Sequence, residues 1–441
     1  MRINLPYSRN KRHLTGIDWV ISALDYQTRR ITGGSNASQI VLELEGPVSE
    51  PEFRRSIHAF VQLFPVLAGR VARDWRNLAP YWRMPRNGSP IPVAIDIVPL
   101  APGDDPLEAA AQSINTGFSK RGERIAFRLI SCSPDRHFLA MRFDHRLFDA
   151  HGAELFLDLF ERWRDGRAST EAIAYPTLIE PAHLSDWMRK YAAGRPFVRK
   201  LRELSLCPLS VIPRPASLRN CGFRFHQVSF DPTETAAVTR RADQEAGFLM
   251  FSCYALAAAV QSLAPAFPGA DDPKRELLVS FSTDARPIDA GLDQIFFNHL
   301  SFLLFRVPMA LASDRPALMT ALRTELYEQT KTGFAQNMEE STMLMRILPA
   351  SLFGRLMLLP LHGELSSFGF ACVGKGGFNQ STCLGAAVTN LFHMPLIPTP
   401  PGMALVVNRF RDRMNVMLCH PNGMLDDSAA QGILSRVRKL Y

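Results

Sequence analysis

His145 and Asp149, four residues apart in Met141-Arg-Phe-Asp-His-Arg-Leu-Phe-Asp-Ala-His-Gly152, could carry acid–base chemistry. Period-two alternation puts Leu139, Met141, Phe143 and His145 on one strand face, so the histidine ends an apolar row where the chain leaves the sheet. A neutral imidazole placed there can take a proton from an alcohol or an amine. Asp149 falls at the start of the helix that follows. The same residues have plainer readings: His145 as a buried structural histidine, Asp149 as a helix N-cap, His151 as an exposed first-turn residue. A metal site made of His145, Asp149 and His151 would need side chains from a strand end and a helix start to converge, with further ligands. No metal is expected.

A second polar row lies farther along. On the strand that ends at Arg286, the residues Leu278, Ser280, Ser282, Asp284 and Arg286 share one face, and its polar end reads as a cavity wall. A buried arginine there needs a carboxylate partner. The alternative is an exposed Asp284–Arg286 pair.

The elements that must position these residues switch repeatedly between strand and helix periods. Strands are expected at Gln39–Glu45, Val93–Leu100, Phe223–Phe230, Leu277–Thr283 and His299–Val307. Hairpins are expected at 124–144, turning at 131–136, and at 402–420, turning at Arg411-Asp412. Helices are expected after Ser49, at 105–119, 152–164, 233–246, 250–264, 427–440 and along a stretch from 315 to about 359. A proline-rich passage, Asp165–Arg219, with its clearest linker at Cys207–Ser217, places a boundary near residue 210. The architecture is therefore mixed α/β in two comparable halves, 1–210 and 211–441.

Composition bounds the rest. The chain has 441 residues, with 50 Lys+Arg against 42 Asp+Glu and a formal charge of +8. The excess is scattered, which suits a phosphate-bearing cofactor or an acidic carrier and excludes a dedicated nucleic-acid stripe. Seven cysteines without a CxxC pair read as reduced thiols in a cytoplasmic protein. The N-terminus lacks the apolar run of a secretory signal. The most apolar stretch, 248–263, is shorter than a membrane span and reads as a buried helix. Gly369-Phe-Ala-Cys-Val-Gly-Lys-Gly376 approaches a phosphate-binding loop, but Gly376 stands where Ser or Thr is required.

Asp-His-Arg-Leu-Phe-Asp-Ala-His-Gly152 resembles the HxxxD motif of the condensation-domain superfamily, which includes chloramphenicol acetyltransferases and bacterial acyltransferases. Further stretches resemble it too: Ser35–Gly46 through Phe64-Pro-Val-Leu-Ala-Gly-Arg70, Leu278–Pro287 with its D-x-R, Phe296-Phe-Asn-His-Leu-Ser301, and the closing hairpin and helix. The sequence departs from the usual pattern in having Asp144 for the first of two histidines and Ala150 for a glycine, with Gly152 two residues on. The plant DFGWG signature is absent, which favours the bacterial branches.

The resemblance implies two chloramphenicol-acetyltransferase-like domains with a cleft between them. It implies acyl transfer from a thioester, on coenzyme A or a phosphopantetheine carrier, to a hydroxyl or amine, with His145 as general base and no bound cofactor. Asp149 would pair with Arg286 to shape the histidine loop, with Asp284 and Gly152 in support. Ser366, Ser367 and Asn298 are candidates for the oxyanion or the cleft, against turn or strand-edge roles for the serines. The partners implied are a small-molecule acceptor and an acyl or peptidyl carrier protein, without nucleic acid or membrane. Two alternatives stay open: a non-catalytic relative that binds a carrier protein or lipid, and an amide-forming condensation enzyme of a natural-product pathway.

Overall fold

Apolar alternation in the first half of the chain builds one face of a six-stranded sheet. The structure is a computed structural model, and it describes residues 11–441 apart from 76–77, 86–89, 119–121, 171–183, 207, 271, 287–290 and 375. Part of the proline-rich passage, with Cys207, Pro287 and Lys375, lies outside the described residues. A short strand, Lys11–His13, precedes helix α1 (Gly16–Thr32), which is closed by a capping box in which Thr15 and Asp18 bond each other's backbone N–H. Strands β1 (Ala37–Glu45), β2 (Ala94–Pro99), β3 (Ile125–Ser133) and β4 (Arg136–Asp144) follow, and then helix α2 (Ala150–Arg164), N-capped by Asp149.

The proline-rich passage holds an element that composition concealed, helix α3 (Leu184–Ser205). Pro196 lies inside it, and a proline there removes one backbone donor and reads as a breaker. Packing outweighs that local preference, with Phe197 set against Phe334 at 5.7 Å between ring centroids.

The second half supplies β5 (Phe223–Phe230), β6 (Glu276–Asp284), β7 (Leu300–Pro308) and β8 (Phe368–Val373). It continues with β9 (Thr382–Cys383), β10 (Ala386–Pro395), β11 (Ala404–Phe410) and β12 (Arg413–Pro421). The expected long helix from 315 is three helices: Arg315–Lys331, α4 (Phe334–Met345) and α5 (Ala350–Leu356). Gly333 breaks the first join in the left-handed region at φ 62°, and Pro349 precedes the last helix.

Among the described residues the strands form two six-stranded sheets, ordered β9-β10-β1-β4-β3-β2 and β7-β6-β8-β11-β12-β5, beside a three-stranded one. A cut at residue 210 therefore does not follow the sheets. β9 and β10 come from the second half, yet β10 pairs antiparallel with β1, Leu391 opposite Leu42 and His393 opposite Ile40. One row of β10 is apolar enough to be buried against the other sheet: Phe392 and Met394 join Val41, Phe225, Val406 and Met417 in one core cluster. That crossover ties the halves together and leaves a cavity between them. Among the described residues, no helix is long and apolar enough to cross a membrane.

Candidate active site

β4 carries the site. Leu139, Met141 and Phe143 enter the first core, and His145 emerges at the strand end beside the cavity. Its imidazole Nδ1 lies 3.2 Å from Asn298 Oδ1, and Asn298 Nδ2 donates to the His145 carbonyl at 2.9 Å. The second bond decides the first. A carbonyl can only accept, so the amide nitrogen must face it and the amide oxygen must face the ring. Nδ1 therefore carries a proton, and in the neutral ring the lone pair is on Nε2, the tautomer that a general base requires.

Asn298 is itself aimed by backbone. Phe297 N donates to Leu147 O at 2.5 Å, and Phe297 adopts the left-handed region at φ 74°, costly for a large side chain. The guanidinium of Arg12 lies 3.5 Å from the Phe297 ring centroid. The amide of Asn298 thus holds the histidine, whereas the sequence had made it a candidate for the oxyanion or the cleft.

Asp149 is fully buried and caps α2 through Gly152 N at 2.8 Å. The N-cap and ion-pair readings both hold, because Arg286 Nη2 lies 2.7 Å from the same carboxylate and His299 N donates to its other oxygen at 2.9 Å. Burial alone would raise the Asp149 carboxyl. The charge of Arg286 and these hydrogen bonds outweigh it and hold the group below its ordinary value. Arg286 also reaches Asp284 at 3.0 Å and the Gln294 carbonyl, so its side chain is only 2 % exposed. Asp284 in turn lies 3.5 Å from His151 Nδ1. His145, Asp149 and His151 thus have separate partners rather than a common centre.

Gly152 has a steric reason. A Cβ there would run into the Ile295 carbonyl and stand 3.2 Å from both Arg286 Nη2 and Asp149 Oδ1. Gly152→Ala is expected to cost about 1–3 kcal/mol of overpacking, read as a lower melting temperature; an unchanged melting curve would mean that the 295 segment yields freely.

Asp144 anchors the loop from behind. Arg146 at 2.6 Å and Arg124 at 3.0 Å bind it. Burial would raise its carboxyl, but these two guanidiniums hold it well below the usual carboxylate range. Arg146 also approaches Asp25 of α1 at 3.7 Å, and Asp25 accepts from Asn36 N at 3.0 Å.

The serines need correction. Ser366 and Ser367 are buried, and their hydroxyls face Ser280 Oγ at 3.1 Å and Leu278 N at 3.0 Å. They fasten the start of β8 to β6, the strand-edge role. Ser280, Ser282 and Thr283 border the cavity from this wall, next to Asp284 and Arg286, so the polar row that alternation predicted on β6 lines the cavity, joined by Thr283.

The cavity measures about 1340 Å³. Its lining divides by element. α1, α3, α4 and α5 contribute apolar side chains such as Ile21, Leu201, Met338 and Phe353, and the strands add Phe302, Phe370 and Val406 together with the polar His145, Ser38 and His393. No protein-family model matches the sequence, and no curated protein sequence matches it. Solved structures do. The first condensation domain of the calcium-dependent antibiotic synthetase, in complex with a substrate analogue, aligns over 98% of this chain and 95% of its own, with TM-score 0.66 and 14% identity. The trichothecene 15-O-acetyltransferase from Fusarium sporotrichioides aligns over 98% and 95%, with TM-score 0.68 and 12% identity. A cyclization-docking bidomain from Sorangium cellulosum aligns over 100% and 87%, with TM-score 0.66 and 14% identity.

The chain has the condensation-domain fold. Its two lobes are of the chloramphenicol-acetyltransferase type, as the motif resemblance implied. In this fold the cavity lies between the lobes' sheets, with His145 projecting from β4 of one and Arg286 following β6 of the other.

Proposed function

We propose that the chain transfers an acyl group from a thioester to a hydroxyl or amine, with His145 Nε2 as general base. The observation that carries this reading is the pair of bonds to Asn298, which leave Nε2 as the ring's lone pair beside the cavity. Nε2 takes the proton of the acceptor as its oxygen or nitrogen attacks the thioester carbon. The carbonyl electrons pass to oxygen, and cavity donors such as the β6 hydroxyls stabilise that charge. On collapse the C–S bond breaks, and the thiolate recovers the proton from the imidazolium. Asp149 and Arg286 exchange no protons; they hold the loop. Neither a metal nor a protein-bound acyl group takes part.

The intact base supports an enzyme over a non-catalytic binder. The many apolar side chains that line the cavity from helices and strands alike support an acyl or acceptor group of substantial hydrophobic area. Whether the product is an ester or an amide depends on the acceptor, and product mass after incubation with an alcohol or an amine distinguishes them.

The donor would be coenzyme A or a carrier-protein phosphopantetheine. Helix α3 supports a phosphate-bearing donor: Arg195, Arg199 and Arg202, spaced to share one helix face, are exposed and border the cavity. Arg189 and Lys200 on the same helix are paired instead, with Glu340 at 3.3 Å and Glu325 at 2.9 Å. Attraction at this rim is screened over about 8–10 Å at physiological salt. The donor KM is therefore expected to rise with salt while kcat changes little, since ground and transition states share the contact. Arg199→Gln with Arg202→Gln is expected to flatten that dependence; a KM indifferent to salt would assign the holding to neutral contacts.

A further inference from the structure

The cavity holds a second histidine. His393 on β10 stands opposite Ile40 of β1, which stands opposite Met141 of β4. Residues directly across a sheet share a face, so His393 faces the same side as His145, two strands away and four residues down the register. With standard strand spacing and rise, the two Cα atoms are roughly 16 Å apart. That is farther than the reacting carbon at His145 extends, so His393 would touch a remote part of the substrate.

Its environment is built. The side chain is 2 % exposed, and Nε2 lies 2.7 Å from Glu154 Oε1, on the second turn of α2. The other carboxylate oxygen accepts from Gly377 N. A carboxylate only accepts, so Nε2 carries a proton, and in the neutral ring Nδ1 is the nitrogen that offers a lone pair. Nδ1 is buried and has no hydrogen-bond partner among the described residues, although His393 borders the cavity with Asn379 and Pro395.

The glycine run near 376, which approaches a phosphate-binding loop in sequence, belongs to this arrangement. A Cβ at Gly376 would stand 2.6 Å from Glu154 Oε2, and one at Gly377 2.9 Å from Leu155 Cγ. The glycines let the loop lie flat on α2 so that Gly377 N reaches Glu154. Fixing a histidine's proton on one nitrogen in this way leaves the other committed as an acceptor.

We propose that His393 Nδ1 accepts a hydrogen bond from an amide N–H or hydroxyl of the arm that carries the thioester sulfur, making it a specificity-determining residue of the cavity. The identity of that arm rests on the acyl-transfer reading; the binding does not. Such a contact, remote from the reacting carbon, would act equally on ground and transition states and appear in affinity rather than in kcat.

The test compares wild type with His393→Lys, whose ammonium keeps an N–H for Glu154 and which carries no acceptor in place of Nδ1. The probes are two unreactive thioethers with the same alkyl chain, S-octyl-pantetheine and S-octyl-mercaptoethanol, titrated calorimetrically. The expected result is about tenfold weaker binding of the pantetheine thioether, unchanged binding of the mercaptoethanol one, and an unchanged melting temperature. Equal affinities in both proteins, or equal losses for both probes, would overturn the proposal. Should His393→Lys fold poorly, His393→Leu with Glu154→Gln removes the Nδ1 acceptor while keeping a side-chain oxygen for Gly377 N, and it is held to the same two outcomes. A selective loss of pantetheine binding in a protein that transfers no acyl group would defeat the catalytic reading and leave this one standing.

Discussion

His145→Ala is expected to lower kcat by about 10²–10⁴ while leaving a folded protein, because it removes the acceptor of the proton moved in the rate-determining attack. The ring is only partly buried and makes one edge contact, with Phe143 at 6.5 Å between centroids, so little packing is lost. Asn298 Oδ1 does lose its partner, and a buried orphan acceptor costs about 1–3 kcal/mol. His145→Asn is the companion variant: its amide can still donate toward Asn298 but presents no basic nitrogen. Both variants should be comparably inactive, with the asparagine variant melting closer to wild type. Activity within a few-fold of wild type in either would remove His145 from the mechanism.

Asp149→Asn and Arg286→Ala are expected to fail differently, through the scaffold. The pair is buried on both sides, at 2 % and 0 % side-chain exposure, and stranding one charge of such a pair costs roughly 3–5 kcal/mol. Melting temperature should fall together with activity in both variants. Arg286→Ala should be the harsher on charge grounds, since it leaves the buried Asp149 carboxylate with the backbone N–H groups of Gly152 and His299 but without its countercharge. Asp149→Asn leaves Arg286 with Asp284, which is 39 % exposed. Because the folded-state carboxyl of Asp149 lies below its ordinary value of 3.8, its contribution is complete above that pH and is lost only as pH falls through the lower folded value. The stability gap between wild type and Asp149→Asn should therefore close in acid and stay constant from pH 6 to 8. If both variants melt like wild type, the buried bridge contributes nothing.

Much of this site is local and was therefore legible. The strand alternation that aims His145, the N-cap at Asp149 and the polar row on β6 each depend on a few consecutive residues. The Asp149–Arg286 link, 137 residues apart, came from the family resemblance and not from any period. What stayed hidden depends on tertiary context. Asn298 was named as a candidate, but its use as the holder of His145 depends on a left-handed Phe297 that no periodicity reveals. Ser366 and Ser367 gave way to Ser280 and Ser282 because the parallel pairing of β8 on β6 decides which hydroxyls face the cavity. α3 was obscured by Pro196. α1 was overlooked although Thr15 and Asp18 spell its capping box, because Asp18, Asp25 and Thr28 are buried on a helix whose polar residues bond inward to Arg12 and Asn36. The crossing of β10 into the first sheet has no local mark at all.

The most direct measurement incubates the purified protein with an acyl-coenzyme A thioester, with and without an alcohol or amine acceptor, and follows free thiol and acylated product together. The account predicts thiol and product in equal amounts, both dependent on the acceptor and both lost in His145→Asn. Thiol release that ignores the acceptor, or that persists undiminished in His145→Asn, would contradict it.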